Sequence, residues 1–195
     1  MRYNPIKING AWDEGYALDK HMLSSTFQGY DENGKTKYDS IRSDIGEALY
    51  QLKYRNNYAK LDELVNVAYE FIKNEWQIDI YAIIAAPPSK ERVVQPVFIL
   101  TEKIANLLNK PYATNFFKKN STEQVKNMTS EEKENLKSSN SIIKQRYLKN
   151  PNSNILIIDD IYSSGLTTNQ LVKLLKEDVN TGKIYVLAIT KTGGG

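Results

Sequence analysis

The sequence predicts an α/β fold, a parallel β-sheet flanked by helices. Three observations carry that expectation. Short apolar runs rich in β-branched residues occur at 79–86 (DIYAIIAA), 154–159 (NILIID) and 183–190 (KIYVLAIT), the length and composition of buried strands. Between them, apolar residues recur at three- and four-residue spacing through 93–108 and 166–176, as on one face of an amphipathic helix. Strands alternating with helices imply parallel pairing, because a parallel neighbour is reached only through a crossover.

The elements follow in order. In residues 1–43, Asp31-Glu32-Asn33-Gly34 holds an Asn-Gly pair suited to a tight hairpin turn, with short strands expected at 24–30 and 35–41. We read 1–43 as a small N-terminal β appendage or hood, and 44–195 as the core. Ile45, Leu49, Leu52 and Tyr54 suggest a first short helix, interrupted at Asn56-Asn57. Leu61, Leu64, Val65, Ala68, Phe71 and Ile72 mark a second. Pro87-Pro88 ends the first buried strand. A helix then runs through Val93, Val94, Val97, Phe98, Thr101, Ile104, Leu107 and Leu108, with Pro96 in its first turns, where a missing N–H is tolerated. Residues 112–117 suggest a short strand. From 118 to 149 the chain is polar, with a net charge of +4, and reads as a flexible flap, since so long a connection in a compact domain is usually functional or disordered. The terminal Gly193-Gly194-Gly195 is given no function.

Bulk properties narrow the chemistry. The 195 residues suit one domain able to bury its own core. The absence of cysteine excludes disulfides, thiolate zinc sites and a cysteine nucleophile. His21 is the one histidine, so no multi-histidine metal site exists; it reads as a packed or surface residue in preference to a general base. The 26 basic residues barely exceed the 23 acidic ones, which is no footprint of nucleic-acid binding. The thirteen tyrosines are scattered and read as packing residues. No signal-peptide core and no apolar run of about 20 residues is seen, so a cytoplasmic protein with no membrane partner is expected. Trp12, Gly15, Tyr16, Arg42 and Tyr54 read as scaffold of the N-terminal lobe.

The chemistry concentrates at 155–168 (ILIIDDIYSSGLTT). Asp159 and Asp160 stand at the carboxyl end of a predicted strand, where ligands bind in open α/β sheets. Ser163, Ser164, Gly165, Leu166, Thr167 and Thr168 lead into a helix. Small residues let the backbone approach an anion, and the helix start supplies unpaired N–H donors with a partial positive charge. Two carboxylates beside an anion site must face something else. A vicinal diol serves, since hydroxyls donate to carboxylates in bonds worth roughly 1.5–3 kcal/mol each. A ribose 5-phosphate carries both groups. The bland alternatives are a strand–turn–helix with an acidic cap and an acidic pair holding a metal.

The run IIDDIYSSGLTT resembles the phosphoribosyl-pyrophosphate (PRPP) motif of the type I phosphoribosyltransferases. The resemblance implies that family's fold and glycosyltransferase activity. It implies that Asp159 and Asp160 take the ribose diol and contact Mg2+ directly or through water, as the catalytic pair. It gives the 5-phosphate to Ser163, Ser164, Gly165, Leu166 and Thr167. A pyrophosphate loop is also implied, and 85–92 (AAPPSKER) is the candidate, with Pro88, Ser89, Lys90 and Arg92. Lys118 and Lys119, at the start of the flap, either reach the pyrophosphate or belong to a solvated charge run. Lys53-Tyr54, Pro87-Pro88, Arg92 and Gln95 are similar to features of the ComF branch of that family. Unlike many ComF-like chains, this one has no four-cysteine zinc module, and it offers Lys133 or Lys137 where an arginine is common. The implied function is transfer of a phosphoribosyl group from PRPP, with Mg2+, to a nitrogen acceptor that the sequence does not identify. A PRPP- or nucleotide-sensing regulator without transfer activity is the alternative, as is a ComF-like accessory role in DNA uptake or repair. Homodimer formation and nucleic-acid contact are left open as further partnerships.

Overall fold

Alternation along two long apolar strands sets the layering of the molecule. The structure, a computed structural model, describes residues 1–88, 94–119 and 142–193. In chain order the elements are β1 (Ile6–Lys7), β2 (Glu14–Lys20), β3 (Met22–Tyr30), β4 (Thr36–Arg42), α1 (Asp44–Tyr54) and α2 (Ala59–Glu70), which runs on into a π-helical turn (Phe71–Trp76). There follow β5 (Ala82–Ala85), α3 (Pro96–Leu107), β6 (Phe117–Lys119), β7 (Ile142–Lys144), β8 (Ser153–Tyr162), α4 (Leu166–Lys176) and β9 (Thr181–Lys191). Five strands form the central sheet in the order β1-β2-β9-β8-β5. All pairings are parallel except the β1 edge, which is antiparallel to β2. The fold class read from the sequence is therefore the fold observed.

Successive side chains of a strand point to opposite faces. Leu156 and Ile158 of β8, with Tyr185, Leu187 and Ile189 of β9, join Ile45, Leu49, Leu52, Leu64, Ile83, Leu100 and Ile104 in one core, beneath α1, α2 and α3. Ile155 and Ile157, with Ile184, Val186 and Ala188, join Leu171, Val172 and Leu175 of α4 in the other. A parallel sheet covered on both faces needs continuous apolar strands, and these two supply them.

Local signals fix the helices. Ser43 caps α1, its hydroxyl accepting the Gly46 N–H at 2.9 Å, and Asp44 and Glu47 place negative charge in the first turn. Pro96 opens α3 at the position where a missing N–H costs least. The π-helical turn ends on Gln77 in the left-handed conformation, φ +52°.

Several expectations shift. The strand read at 79–86 begins only at Ala82, because Tyr81 donates its N–H to Asn154 O outside the ladder. The helix read from Val93 begins at Pro96; Val94 is exposed, and Val93 lies outside the described residues. Over 112–117 there is one bridge, Tyr112 to Ile83, and a strand starts only at Phe117. Within 1–43, the expected hairpin is β3–β4, while β1 and β2 run in the central sheet. Nothing in EGYALDK announces a core strand, since charges flank only four apolar or small residues. Ala17 and Leu18 become fully buried through pairing with β9. None of the described helices is long and apolar enough to cross a membrane.

Candidate functional site

β8 outlasts its apolar run. It stays paired with β9 through Asp159↔Ala188, Ile161↔Thr190 and Tyr162↔Lys191, so the acidic pair is held in strand register at the carboxyl edge of the sheet. The two carboxylates meet different surroundings. Asp160 faces α1, where Lys53 Nζ lies 2.7 Å from its Oδ2. The side chains of Lys53 and Asp160 are only 8% and 18% exposed, so this is a largely desolvated ion pair. Asp159 is half-buried and turns back on the chain, its Oδ1 accepting the Asp160 N–H at 2.7 Å. Burial and then the neighbouring Asp160 charge push its carboxyl up to about 7, against the Asp160 and Ile161 N–H groups and Lys53, which favour the ionised form. One acid is thus neutralised by the protein, and the other is poised to exchange a proton near neutral pH.

The chain then turns into α4. Gly165 adopts φ +74°, a left-handed conformation at the helix N-cap, and a Cβ there would sit 2.6 Å from Tyr162 Oη. Ser163 and Ser164 are exposed, Leu166 is exposed, Thr167 is half-buried and Thr168 is buried. The N-terminal segment supports this turn from behind. Tyr162 packs edge-on against Trp12, with ring centroids 6.0 Å apart, and Asn169 Oδ1 accepts the Ala11 N–H at 2.9 Å. An exposed, hydroxyl-rich helix start therefore lies directly beside the acidic pair.

On the β5 side, Ala86 donates its N–H to Ile158 O at 2.8 Å, and Pro87 and Pro88 end the strand, buried and half-buried. Ser89, Lys90 and Arg92 of the expected pyrophosphate loop lie outside the described residues. Of the stretch read as a flap, residues 120–141 also lie outside them, and its two ends form an antiparallel stem, β6 with β7. Lys118 and Lys119 are exposed on that stem and form no ion pair with a described residue. The stem is rooted by Lys144, 3.3 Å from buried Asp178, just beyond the C-terminal end of α4 and so at the far end of that helix from Gly165.

Sequence reasoning did not assemble the cationic side of the site. His21 follows β2; its N–H donates to Lys191 O at 2.7 Å and its Nδ1 lies 3.1 Å from Thr190 Oγ1. Thr190, fully buried, is 3.4 Å from Asp160 O. Arg42, read as scaffold, stacks its guanidinium over the Tyr50 ring at 3.8 Å and reaches Glu47 at 3.2 Å, while its buried Nε has no partner among the described residues. One signal for Lys53 did exist. It continues the Ile45–Leu49 stripe at the next four-residue step, and a lysine on an apolar helix face implies a buried partner.

Two carboxylates are too few for a metal cage, and the described residues hold no cluster of three metal-ligating side chains. The pair does suit Mg2+, which keeps its waters and combines substrate phosphates with one or two carboxylates.

Solved structures share this architecture. The adenine phosphoribosyltransferase of Leishmania donovani matches with a TM-score of 0.52 over 96% of this chain and 75% of its own, at 11% identity. The adenine phosphoribosyl transferase of Trypanosoma brucei, in complex with AMP, pyrophosphate and ribose-5-phosphate, matches with a TM-score of 0.50 over 96% and 74%, at 13% identity. A UMP synthase of Leishmania donovani matches with a TM-score of 0.40 at 15% identity, and this chain spans 28% of its length. No protein-family model and no curated protein matches the sequence. The likeness establishes the fold, that of phosphoribosyltransferases, with a mostly parallel sheet between helices.

Proposed function

We propose that this chain binds PRPP and transfers its phosphoribosyl group to a nitrogen acceptor. The observation that carries the reading is the contrast between adjacent carboxylates, Asp160 paired to Lys53 and Asp159 poised near neutrality, beside a glycine-hinged helix start. A phosphate next to two unpaired carboxylates would be repelled. With one charge offset and the other proton-linked, the same surface accepts a diol and a phosphate together.

In this reading Asp159 and Asp160 accept from the ribose hydroxyls. Ser163, Ser164, Gly165, Leu166 and Thr167 bind the 5-phosphate through backbone N–H groups and hydroxyls. Pro88, Ser89, Lys90 and Arg92 form the pyrophosphate side, and Lys118 and Lys119 belong to the flap. Asp159 or Asp160 would hold Mg2+, directly or through water, and the ion would supply positive charge toward the pyrophosphate oxygens. The protein's own part is positioning and fixed electrostatics: the edge of a rigid sheet holds the sugar while positive charge develops at its anomeric carbon. The ComF-like branch and a cytoplasmic location remain part of the proposal on sequence grounds alone.

Calorimetry with PRPP and MgCl2 tests the reading. Binding is expected in the wild type and a loss of at least tenfold in affinity in Asp160→Asn. No binding at millimolar PRPP, or binding unchanged in Asp159→Asn/Asp160→Asn, rejects it. Pyrophosphate release across a panel of nitrogen bases then separates a transferase from a sensor.

A further inference from the structure

We infer that His21 is the residue that takes the proton from the incoming nitrogen nucleophile, through its Nε2. The inference rests on the phosphoribosyl-transfer reading and adds the acceptor half of the site.

Displacement at a saturated carbon brings the nucleophile in on the face opposite the leaving group. The leaving pyrophosphate is assigned to the β5 side of β8, where Pro87 and Pro88 end the strand. The order β2-β9-β8-β5 leaves the β9 and β2 side for the acceptor. His21 is the residue that follows β2 at that same carboxyl edge. Two strand spacings, about 10 Å, separate β2 from β8, room for a sugar and a planar base above the intervening β9.

The backbone of His21 is clamped. Its N–H is bonded to Lys191 O, and its carbonyl oxygen would lie 2.1 Å from a Cβ at Gly46, so α1 is seated directly on it. The ring is aimed by Thr190. A threonine hydroxyl has one proton, and the Asp160 carbonyl oxygen 3.4 Å away can only accept it. Thr190 Oγ1 therefore accepts from His21, which puts the imidazole proton on Nδ1 and leaves the lone pair on Nε2. The charged groups facing the ring are Arg42 and Lys53 on one account, Asp160 and Glu47 on the other. Burial first, then the two cations, hold the imidazole below its ordinary pKa against the two carboxylates, so it is neutral at pH 7. A neutral, oriented imidazole is what a proton acceptor requires.

The step balances without any added reagent. The acceptor nitrogen forms a bond to the anomeric carbon. The bond from that carbon to pyrophosphate oxygen breaks, and its electron pair leaves with pyrophosphate. The proton on the acceptor nitrogen passes to His21 Nε2.

Because the chain has a single histidine, every imidazole signal in its NMR spectrum belongs to His21. Side-chain 15N spectra of the wild type at pH 7.5 should show the Nδ1-protonated tautomer, and a ring protonated on Nε2 overturns the inference. His21→Asn keeps an N–H donor for Thr190 but has no Nε2. With PRPP and MgCl2 its affinity by calorimetry should match wild type. Its pyrophosphate release with ammonia, adenine, guanine, uracil and orotate should fall about 100-fold or more and lose the acid limb of the pH–rate profile. Wild-type rates and an unchanged profile in His21→Asn overturn the inference, since only the Thr190 bond would then matter. PRPP binding by the wild type without pyrophosphate release from any member of the panel also overturns it. Failure of the wild type to bind PRPP is a distinct result that rejects the underlying reading.

Discussion

Lys53 and Asp160 meet across 107 residues of sequence, and the consequences of that meeting are electrostatic. Removing one partner of a buried ion pair strands the other charge in a poor solvent. Lys53→Met should cost about 2–3 kcal/mol of stability by urea unfolding at pH 7, somewhat below the fully buried case because Asp160 keeps some exposure. Lys53→Met/Asp160→Asn should recover most of that loss, and a simple sum of the two single effects would refute the coupling. Asp159 behaves in the opposite sense. Its folded-state pKa is raised to about 7, so the folded state bears a cost that appears as pH climbs above the ordinary carboxylate range and is complete above about pH 7. Asp159→Asn should therefore stabilise the protein at pH 8 by about 2 kcal/mol, discounted for partial exposure, and by little at pH 4. Equal stabilisation at both pH values would contradict the assignment. The acidic pair itself was legible as two letters at the end of an apolar run. Its asymmetry was not, because no local pattern says which helix will stand over which carboxylate.

The turn and the stem act as elements. In the turn from β8 to α4, a left-handed residue must fit beneath the Tyr162 ring, and glycine alone does so without strain. Gly165→Ala should lower stability by about 1 kcal/mol and weaken binding of ribose 5-phosphate more than its stability loss explains, measured by thermal unfolding with and without ligand. The β6–β7 stem is fastened by Asp178, which accepts N–H groups from Leu148 and Asn180 and pairs with Lys144. Burial alone would raise the Asp178 carboxyl, but those N–H groups and the Lys144 charge outweigh it and hold the pKa below its ordinary value. A depressed carboxylate contributes stability that is full above its unfolded pKa and lost as pH falls through the folded one. Asp178→Asn should thus destabilise by about 3 kcal/mol at pH 7, with the difference from wild type closing below pH 4. Helix α4 was readable to the residue, since its loop and its apolar spacing are both local signals. The stem was not. Phe117 only closes the apolar run at 112–117, Lys118 and Lys119 carry no strand pattern, and the three pair because Ile142 and Lys144 are held in place by α4 and its neighbours.

At the scale of the molecule, one mostly parallel sheet carries the edge on which His21, Asp159, Asp160 and Pro87 stand. His21, Asp159, Asp160 and Pro87 follow or end β2, β8 and β5, three different strands aligned at their carboxyl ends. A ligand that spans them stabilises the folded state by mass action. PRPP with MgCl2 at 100 times its dissociation constant should add about 2.7 kcal/mol, or roughly 5–10 °C in Tm for a domain of this size. The shift should shrink in Asp160→Asn, and an unchanged Tm at saturating PRPP would oppose the proposed function.

The amino-acid sequence alone determined the buried strands β5, β8 and β9, the helices between them, the parallel sheet they imply, and the acidic pair with its hydroxyl-rich turn. These are consecutive residues whose pattern is set by burial on two faces and by backbone chemistry within a few positions. Only the tertiary structure decided that β2 enters the sheet, that Lys53 neutralises Asp160 and not Asp159, and that His21 stands at the same edge held by Thr190. Those features depend on which distant segments share a face. Packing sets that, through the close seat of Gly46 on His21 and the pairing of β2 with β9, and no short-range pattern encodes it.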